Sequence, residues 1–262
     1  MHRHTRTHIN KPVLVLGTGP SAWHAAKDSE LTKLLNRIPT IAVNRAFNVG
    51  ITVQYQISLD RIWGAFLRWE KDLLCLDRLR RLFKAWQVKH KPAADNWTLE
   101  EFVEAKDVEI TGEIKSYFRL ISPHAPFTRF VTDANSSACP YRAVSFQVSR
   151  SKSVRWGVYR DGLVGSGNTS LSAVHLAAVM GANPILLLGI DWTAPMPKER
   201  SWERGACYQL DRAKKGMMKI ATDLRGQTNV YNLSPTSWLP WYKKAKNWEE
   251  TLAWLKGFVK HV

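Results

Sequence analysis

The sequence predicts an α/β protein: a mainly parallel sheet flanked by helices, with an inserted lid segment. Three observations carry this. Val13–Leu16 (VLVL) and Pro184–Leu188 (PILLL) are short, continuous apolar runs, the pattern of strands buried on both faces. Two Gly-rich turns, Gly17–Ser21 and Gly165–Ser170, each stand where a helix begins, and the strand-like runs end on glycine or polar residues. The chain has 262 residues, 45% hydrophobic and 23% charged, which suits a globular protein able to bury a core without disulfide staples.

The elements follow in order. Met1–Pro12 holds three His, two Arg and one Lys and little to bury, so residues 1–12 read as a flexible basic arm; its His-x-His pattern fits a solvated tail better than a metal site. Residues 13–262 read as a single α/β nucleotide-binding domain. Val13–Leu16 is its first strand, Gly17-Thr18-Gly19-Pro20-Ser21 a turn, and Ala22–Leu35 a helix. Thr40–Val43 is the second strand, ending at Asn44-Arg45. Val53–Ser58 is the third, ending at Leu59-Asp60-Arg61. Trp63–Gln87 reads as a long helix with a basic surface. The stretch 88–155 is the lid or inserted subdomain, with a short helix at Trp97–Glu104.

The α/β pattern resumes at Gly157. Gly165-Ser166-Gly167-Asn168-Thr169-Ser170 opens a helix over Leu171–Met180, which Gly181 closes. The Pro184–Leu188 strand ends at Gly189-Ile190-Asp191-Trp192. Ala206–Thr222 reads as a helix, Asn229–Leu233 as a strand, and Asn247–Val259 as an amphipathic helix with Leu252, Trp254, Leu255 and Phe258 inward.

Charge narrows the partners. Lys and Arg number 38 against 22 Asp and Glu, a formal +16, which favours anions: a nucleotide, or an anionic acceptor such as DNA or a phosphorylated glycan. The surplus lies in the arm, Arg78–Lys91, Arg150–Arg160 and Lys243–Lys246. Trp238, Trp241, Tyr242, Trp248 and Trp254 crowd the same C-terminal region, where aromatics among cations serve either nucleic-acid contact or core packing. Cys75, Cys139 and Cys207 have neither zinc spacing nor a disulfide framework, so free thiols in a reducing compartment are expected. No apolar run reaches the roughly 18 residues of a membrane span, and the N-terminus lacks a signal-peptide core; a cytoplasmic protein is expected.

The chemistry concentrates at the turns and strand ends. Glycines at Gly17, Gly19, Gly165 and Gly167 permit close backbone approach to a phosphate, and a helix start offers N–H groups and a positive dipole end. Thr18, Pro20, Ser21, Ser166, Asn168 and Thr169 complete the two turns. Asn44 and Asp60 have the chemistry to read ribose hydroxyls or a base edge, and Arg45 and Arg61 to neutralise phosphates. Asp191 is placed to hold a metal, accept a proton or cap a loop. HExxH, GxSxG, CxxC and Walker A patterns are absent.

The ordered set VLVLGTGPS at Val13–Ser21, Ala42-Val43-Asn44-Arg45, Ser58-Leu59-Asp60, Gly165–Ser170 and Ile185–Asp191 resembles two related groups. One is the bacterial lipooligosaccharide sialyltransferases, which use CMP-sialic acid. The other is the superfamily of Maf flagellin glycosyltransferases and archaeal 6-hydroxymethylpterin diphosphokinase. The resemblance covers roughly 13–61 and 157–192, with an echo at Asn232–Leu239; a compact, basic, Trp-rich version also looks like proteins found in bacteriophage genomes. It implies a Rossmann-like sheet with a nucleotide at its switch point, Asn44, Ser166, Gly167 and Asn168 on the CMP portion, and Gly17, Gly19 and Ser21 beneath it. The sialyltransferases carry a histidine base and phosphate-facing tyrosines after the GID strand; here Thr193–Lys215 holds no histidine and one tyrosine, Tyr208.

These readings converge on a nucleotide-dependent transferase, a glycosyltransferase using a CMP- or UDP-type sugar donor with no tightly bound cofactor. Arg45, Arg61, Arg160 and Tyr208 would stabilise the leaving phosphate and Asp191 would serve as general base. An ATP-dependent pyrophosphokinase acting on a small hydroxymethyl heterocycle, with Mg²⁺ held by Asp60 or Asp191, is the alternative enzyme. A non-catalytic nucleic-acid or virion-associated binding protein is the alternative outside enzymes.

Overall fold

The structure is a computed structural model; it describes residues 4–44, 46–59, 84, 87–88, 128–132, 143–149, 153–160, 162–165, 168–191, 210–237, 239 and 242–262. The chain divides into two compact units. One comprises Met1–Asp60, Phe127–Asp133 and Ala143–Val262; the other comprises Arg61–Pro126 and Ala134–Arg142 and lies almost wholly outside the described residues. The helices expected at Trp63–Gln87 and Trp97–Glu104 fall there too.

The first unit is built on an eight-stranded sheet. Its strands are β1 (Val13–Leu16), β2 (Thr40–Val43), β3 (Tyr55–Ser58), β4 (Thr128–Thr132), β5 (Ala143–Phe146), β8 (Ile185–Leu188), β9 (Val230–Asn232) and β10 (Lys243–Lys244). A separate two-stranded pair joins β6 (Val148–Ser149) to β7 (Leu163–Val164). The sheet order is β10-β9-β8-β1-β2-β3-β4-β5, and every pairing in it is parallel. The expected mainly parallel α/β sheet is therefore present. From β1 the order runs up to β5 on one side and through β8, β9 and β10 on the other. The loops leaving β1 and β8 consequently diverge, which makes the carboxyl ends of these two strands the topological switch point.

Period-two alternation feeds two helical layers. Val13, Val15, Ile41, Val43, Ile57, Phe130, Ile185 and Leu187 join one core with α3 (Thr169–Val179) and α4 (Leu210–Leu224). The intervening Leu14, Leu16, Ala42, Leu186 and Leu188 are also buried and stand outside that core. Their face is the one served by α1 (Pro20–Lys27), α2 (Ser29–Leu35) and α5 (Trp248–Phe258). In that second layer Lys256 of α5 pairs with Glu30 of α2 at 2.8 Å, and Trp248 stacks on His24 of α1 at 4.4 Å between centroids.

The structure departs from the sequence reading in four places. The helix expected over Ala22–Leu35 is two helices. Asp28 leaves the helical region (φ −89°, ψ 119°), and its carboxylate accepts from the N–H groups of Glu30 and Leu31, so it ends α1 and caps α2. β4 and β5, inside the stretch read as a lid or insertion, extend the main sheet. β10 was not anticipated. Finally, the segment expected as a flexible arm is docked from residue 4 onward. The N–H groups of Arg6, His8 and Asn10 donate to the carbonyls of Val179, Met180 and Gly181 at 3.0, 2.8 and 2.9 Å. These are the orphan carbonyls at the end of α3, and every residue of α3 is buried, so water does not replace those donors. The strap is held further by His8, whose Nε2 lies 2.8 Å from the Tyr55 hydroxyl, and by His4, whose ring meets Phe130 edge-on.

Among the described residues no helix is long and apolar enough to cross a membrane.

Candidate functional site

The switch point is closed by a polar clasp that joins three strand ends. Asp191, two residues beyond Gly189, is 2% exposed. Its Oδ2 accepts from the backbone N–H of Ser21 at 2.8 Å, and its Oδ1 accepts from the Ser21 hydroxyl at 2.6 Å. The hydroxyl of Ser234, after β9, donates to the same Oδ1 at 2.6 Å. Ser21 Oγ in turn accepts from the N–H of Gly189 at 3.0 Å. A buried carboxylate is tolerated when hydrogen bonds replace its lost hydration, and this one receives three, two from Ser21 on α1 and one from Ser234 after β9.

The GTGPS turn exists to let this happen. The N–H of Gly19 donates to the carbonyl of Gly189 at 2.8 Å, bringing the β1 and β8 loops into backbone contact. A Cβ on Gly19 would lie 2.5 Å from Asp191 Oδ2 and 2.7 Å from the Gly189 carbonyl oxygen; one on Gly17 would collide with that same carbonyl. Pro20 then starts α1, where its missing N–H costs nothing. Thr18 is half-buried between the two glycines. Ser21, the second residue of α1, has thus given both its N–H and its hydroxyl to an internal carboxylate. The positive end of α1 is complemented by Asp191.

The described residues of the second Gly-rich segment, Gly165 and Asn168–Ser170, lie at the same edge of the sheet but farther along. The end of α3 leads through Ala182–Pro184 straight into the start of β8, so the beginning of α3 lies at the opposite, carboxyl edge. Asn168 caps it, its side-chain oxygen accepting from the N–H and hydroxyl of Ser170. Thr169, the first residue of α3, is buried. Gly165 packs near Leu59, just after β3, and near Ser172 of α3. The helix spans β1, β2, β3 and β8, so its start addresses the strand ends between the two loops.

Asn44, following β2, has φ +53°, a left-handed conformation that asparagine tolerates better than other side chains. Its N–H donates to the Ile57 carbonyl at 3.0 Å, and its own carbonyl accepts from Gln56 Nε2 at 3.3 Å. Its side-chain Oδ1 is buried without a hydrogen-bond partner among the described residues. Ser58 Oγ at the end of β3 and Asn232 Nδ2 at the end of β9 are buried in the same state. Three strands therefore end in a polar atom with unused hydrogen-bonding capacity.

Of the residues singled out from sequence, Gly17, Gly19, Ser21 and Asp191 come together directly. Asn44, Gly165, Asn168 and Thr169 share their edge of the sheet. Arg160 is exposed, in a stretch whose Gly157 donates its N–H to Ala178, at the far end of α3. Arg45, Asp60, Arg61, Ser166, Gly167 and Tyr208 lie outside the described residues. The sequence reading missed the part played by Ser234 and Asn232; the polar Asn232-Leu233-Ser234 end of a strand was the available signal. His175 has a packing role. Its Nδ1 accepts from the N–H of Val164 at 2.9 Å, and burial pushes its pKa down to about 4, with Asp223 acting weakly the other way. Among the described residues no group of three or more His, Cys, Asp or Glu is gathered in a way that could hold a metal.

No protein-family model matches the chain, and no curated protein does. Among solved structures, the fold resembles the Maf glycosyltransferase from Magnetospirillum magneticum AMB-1, with a TM-score of 0.52 and 12% identity. The match takes in 99% of this chain and 40% of that one, so the chain spans about two fifths of that protein's length. At this identity the likeness is one of fold.

Proposed function

We propose that the protein is a nucleotide-dependent transferase, a glycosyltransferase that takes its sugar from a CMP- or UDP-type donor. The observation that carries this reading is that the Gly17–Ser21 turn, Asn44 and the start of α3 all stand along the carboxyl edge of a parallel sheet whose order reverses there. Such crevices are where open α/β sheets bind their ligands. The shared fold with a Maf glycosyltransferase points in the same direction.

In this reading the Gly17–Ser21 turn is the floor of the site. Asn44 Oδ1, buried and unpartnered among the described residues, accepts from a ribose hydroxyl or a base amino group. The positive end of α3, with Asn168 and Thr169, lies toward the phosphates. Arg45, Arg61 and Tyr208 are the candidates for charge on the leaving phosphate. Asp191 acts as a positioning residue: its oxygens hold Ser21 and Ser234, and so fix the floor relative to β9.

Calorimetric titration with CMP, UDP, GDP and ATP compounds, with and without Mg²⁺, tests the proposal. Binding of a pyrimidine nucleotide, followed by transfer from the matching sugar donor, is expected. A folded sample that binds none of them overturns the reading. Mg²⁺-dependent release of AMP from ATP replaces it with pyrophosphate transfer.

A further inference from the structure

The edge of the sheet beyond β9 carries a cluster that the transferase reading does not use. β10 (Lys243–Lys244) is the last strand of the sheet order, and both of its side chains are exposed. Lys243 Nζ stands 5.1 Å from the centre of the Tyr231 ring and 3.5 Å from its hydroxyl oxygen. The same ring meets Trp254 and Phe258 of α5 edge-on, each at 5.0 Å between centroids. Trp254 and Phe258 are one helical turn apart and only partly buried. Lys244 Nζ donates to the Ser237 carbonyl at 3.2 Å, and Lys246 is exposed.

The charges here are not balanced locally. Lys243, Lys244 and Lys246 make no ion pair with the described residues. Of the two acids in the first turn of α5, Glu249 is exposed, and Glu250 turns its carboxylate onto the N–H of Lys246 at the helix entry. Lysines on an edge strand also discourage strand-to-strand aggregation. That role asks only for exposure, whereas Lys243 is seated over an aromatic ring and Lys244 on a carbonyl. Cations fixed beside partly exposed rings match a chain of phosphates that carries flat, unpaired bases.

We infer that this edge is a docking surface for single-stranded nucleic acid, with Lys243, Lys244 and Lys246 on phosphates and Trp254 and Phe258 against the bases. It does not depend on the transferase reading. Charge complementarity selects the occupant: the chain carries +16 overall, and the three cations of this patch have no acidic partner among the described residues. Stacking separates single strands from duplexes, whose bases are covered.

The test is fluorescence anisotropy of a labelled 20-nucleotide oligothymidylate with the full chain, between about 50 and 200 mM salt. Three neutralised phosphates on a single strand predict a log–log slope of about −2.1, hence a loss of about 18-fold across that range. The Lys243→Glu/Lys244→Glu/Lys246→Glu variant is expected to lose at least about tenfold in affinity at the lower salt and to flatten the slope. Should that variant melt early, the Lys243→Gln/Lys246→Gln pair carries the same expectation, with a smaller loss. The inference is overturned by any of four results: no binding at 50 mM salt, unchanged affinity in the folded variant, a duplex of equal length binding as tightly, or a sulfated polysaccharide doing so.

Discussion

The hydroxyl of Ser21 donates to Oδ1 of Asp191 at 2.6 Å, across 170 positions of sequence. Through it the first helix and the end of β8 share one buried charge, and Ser234 brings in the end of β9. Replacing Asp191 by Ala removes three acceptor contacts and leaves two buried hydroxyls and an N–H to find others. A loss of about 3 kcal/mol or more of stability is expected from three donors left unpaired, read from the denaturant midpoint. Ser21→Ala, which keeps the backbone donor, should cost about 1–3 kcal/mol. A double-mutant cycle between the two should show coupling of at least about 0.5 kcal/mol; strictly additive losses would disprove the clasp.

Gly19 and Gly257 make a matched pair. Alanine at 19 drives a methyl into Asp191 Oδ2 and the Gly189 carbonyl, so Gly19→Ala should destabilise by 2 kcal/mol or more, as a rough figure for overpacking against backbone. Gly257 lies within α5 with nothing near its missing Cβ. Gly257→Ala should raise stability by about 0.5–1 kcal/mol. Thermal melts of the two variants should move in opposite directions.

Acid should weaken the fold through histidine. His175 is held neutral by burial, its pKa pushed down to about 4, while in the unfolded chain it takes up a proton near 6.5. Below about pH 6.5 the unfolded state therefore binds more protons, and stability falls with pH until the folded-state value is reached. The full effect is of order 3 kcal/mol. His8 adds in the same direction, lowered first by desolvation and then by Lys11 and His4. Denaturant midpoints between pH 7.5 and 4.5 should fall steadily, and His175→Gln should flatten part of that slope.

Removing residues 1–10 should expose the cost of an uncapped, buried helix end. Three carbonyls at Val179, Met180 and Gly181 lose their donors. At about 1 kcal/mol or more each, a loss near 3 kcal/mol is expected from hydrogen bonding alone. In the intact chain the amides of Arg6, His8 and Asn10 should be protected from hydrogen exchange. Fast exchange at all three would contradict the docked strap.

Asn44→Gly separates backbone from side chain. Glycine accepts φ +53° readily, so the turn should survive. The acceptor Oδ1 is lost, and nucleotide affinity should fall by roughly tenfold, the worth of one good hydrogen bond. Calorimetry with the nucleotide bound by the parent chain gives the comparison.

Much of the sheet could be read from sequence because parallel strands covered on both faces leave unbroken apolar runs: VLVL, TIAV and ILLL are all buried throughout. β4 was hidden by Arg129, a buried charge near the start of TRFVT that breaks such a run. β10 is two lysines; its pairing to Tyr231 and Asn232 is made by backbone, which no side-chain pattern reports. The break at Asp28 was available as an acidic cap before Ser29 and Glu30, and was masked by apolar spacing that continues through it. At the site, Gly17, Gly19 and Asp191 stood out as turn and strand-end residues. That Asp191 spends its oxygens on Ser21 and Ser234 depends on contacts 170 and 43 residues away, beyond any local pattern.

The placement of β1 bears on how the chain is made. One of its two neighbours is β8, some 170 residues later, and the strap before it waits for the end of α3. A nascent chain therefore carries VLVL with one flank open until β8 has also left the ribosome. Contacts of such long range slow folding and leave a sticky strand exposed meanwhile. The polar, cationic residues 4–11 are well suited to keep that strand soluble before its partner arrives, so one segment serves first as an escort and then as part of the finished wall.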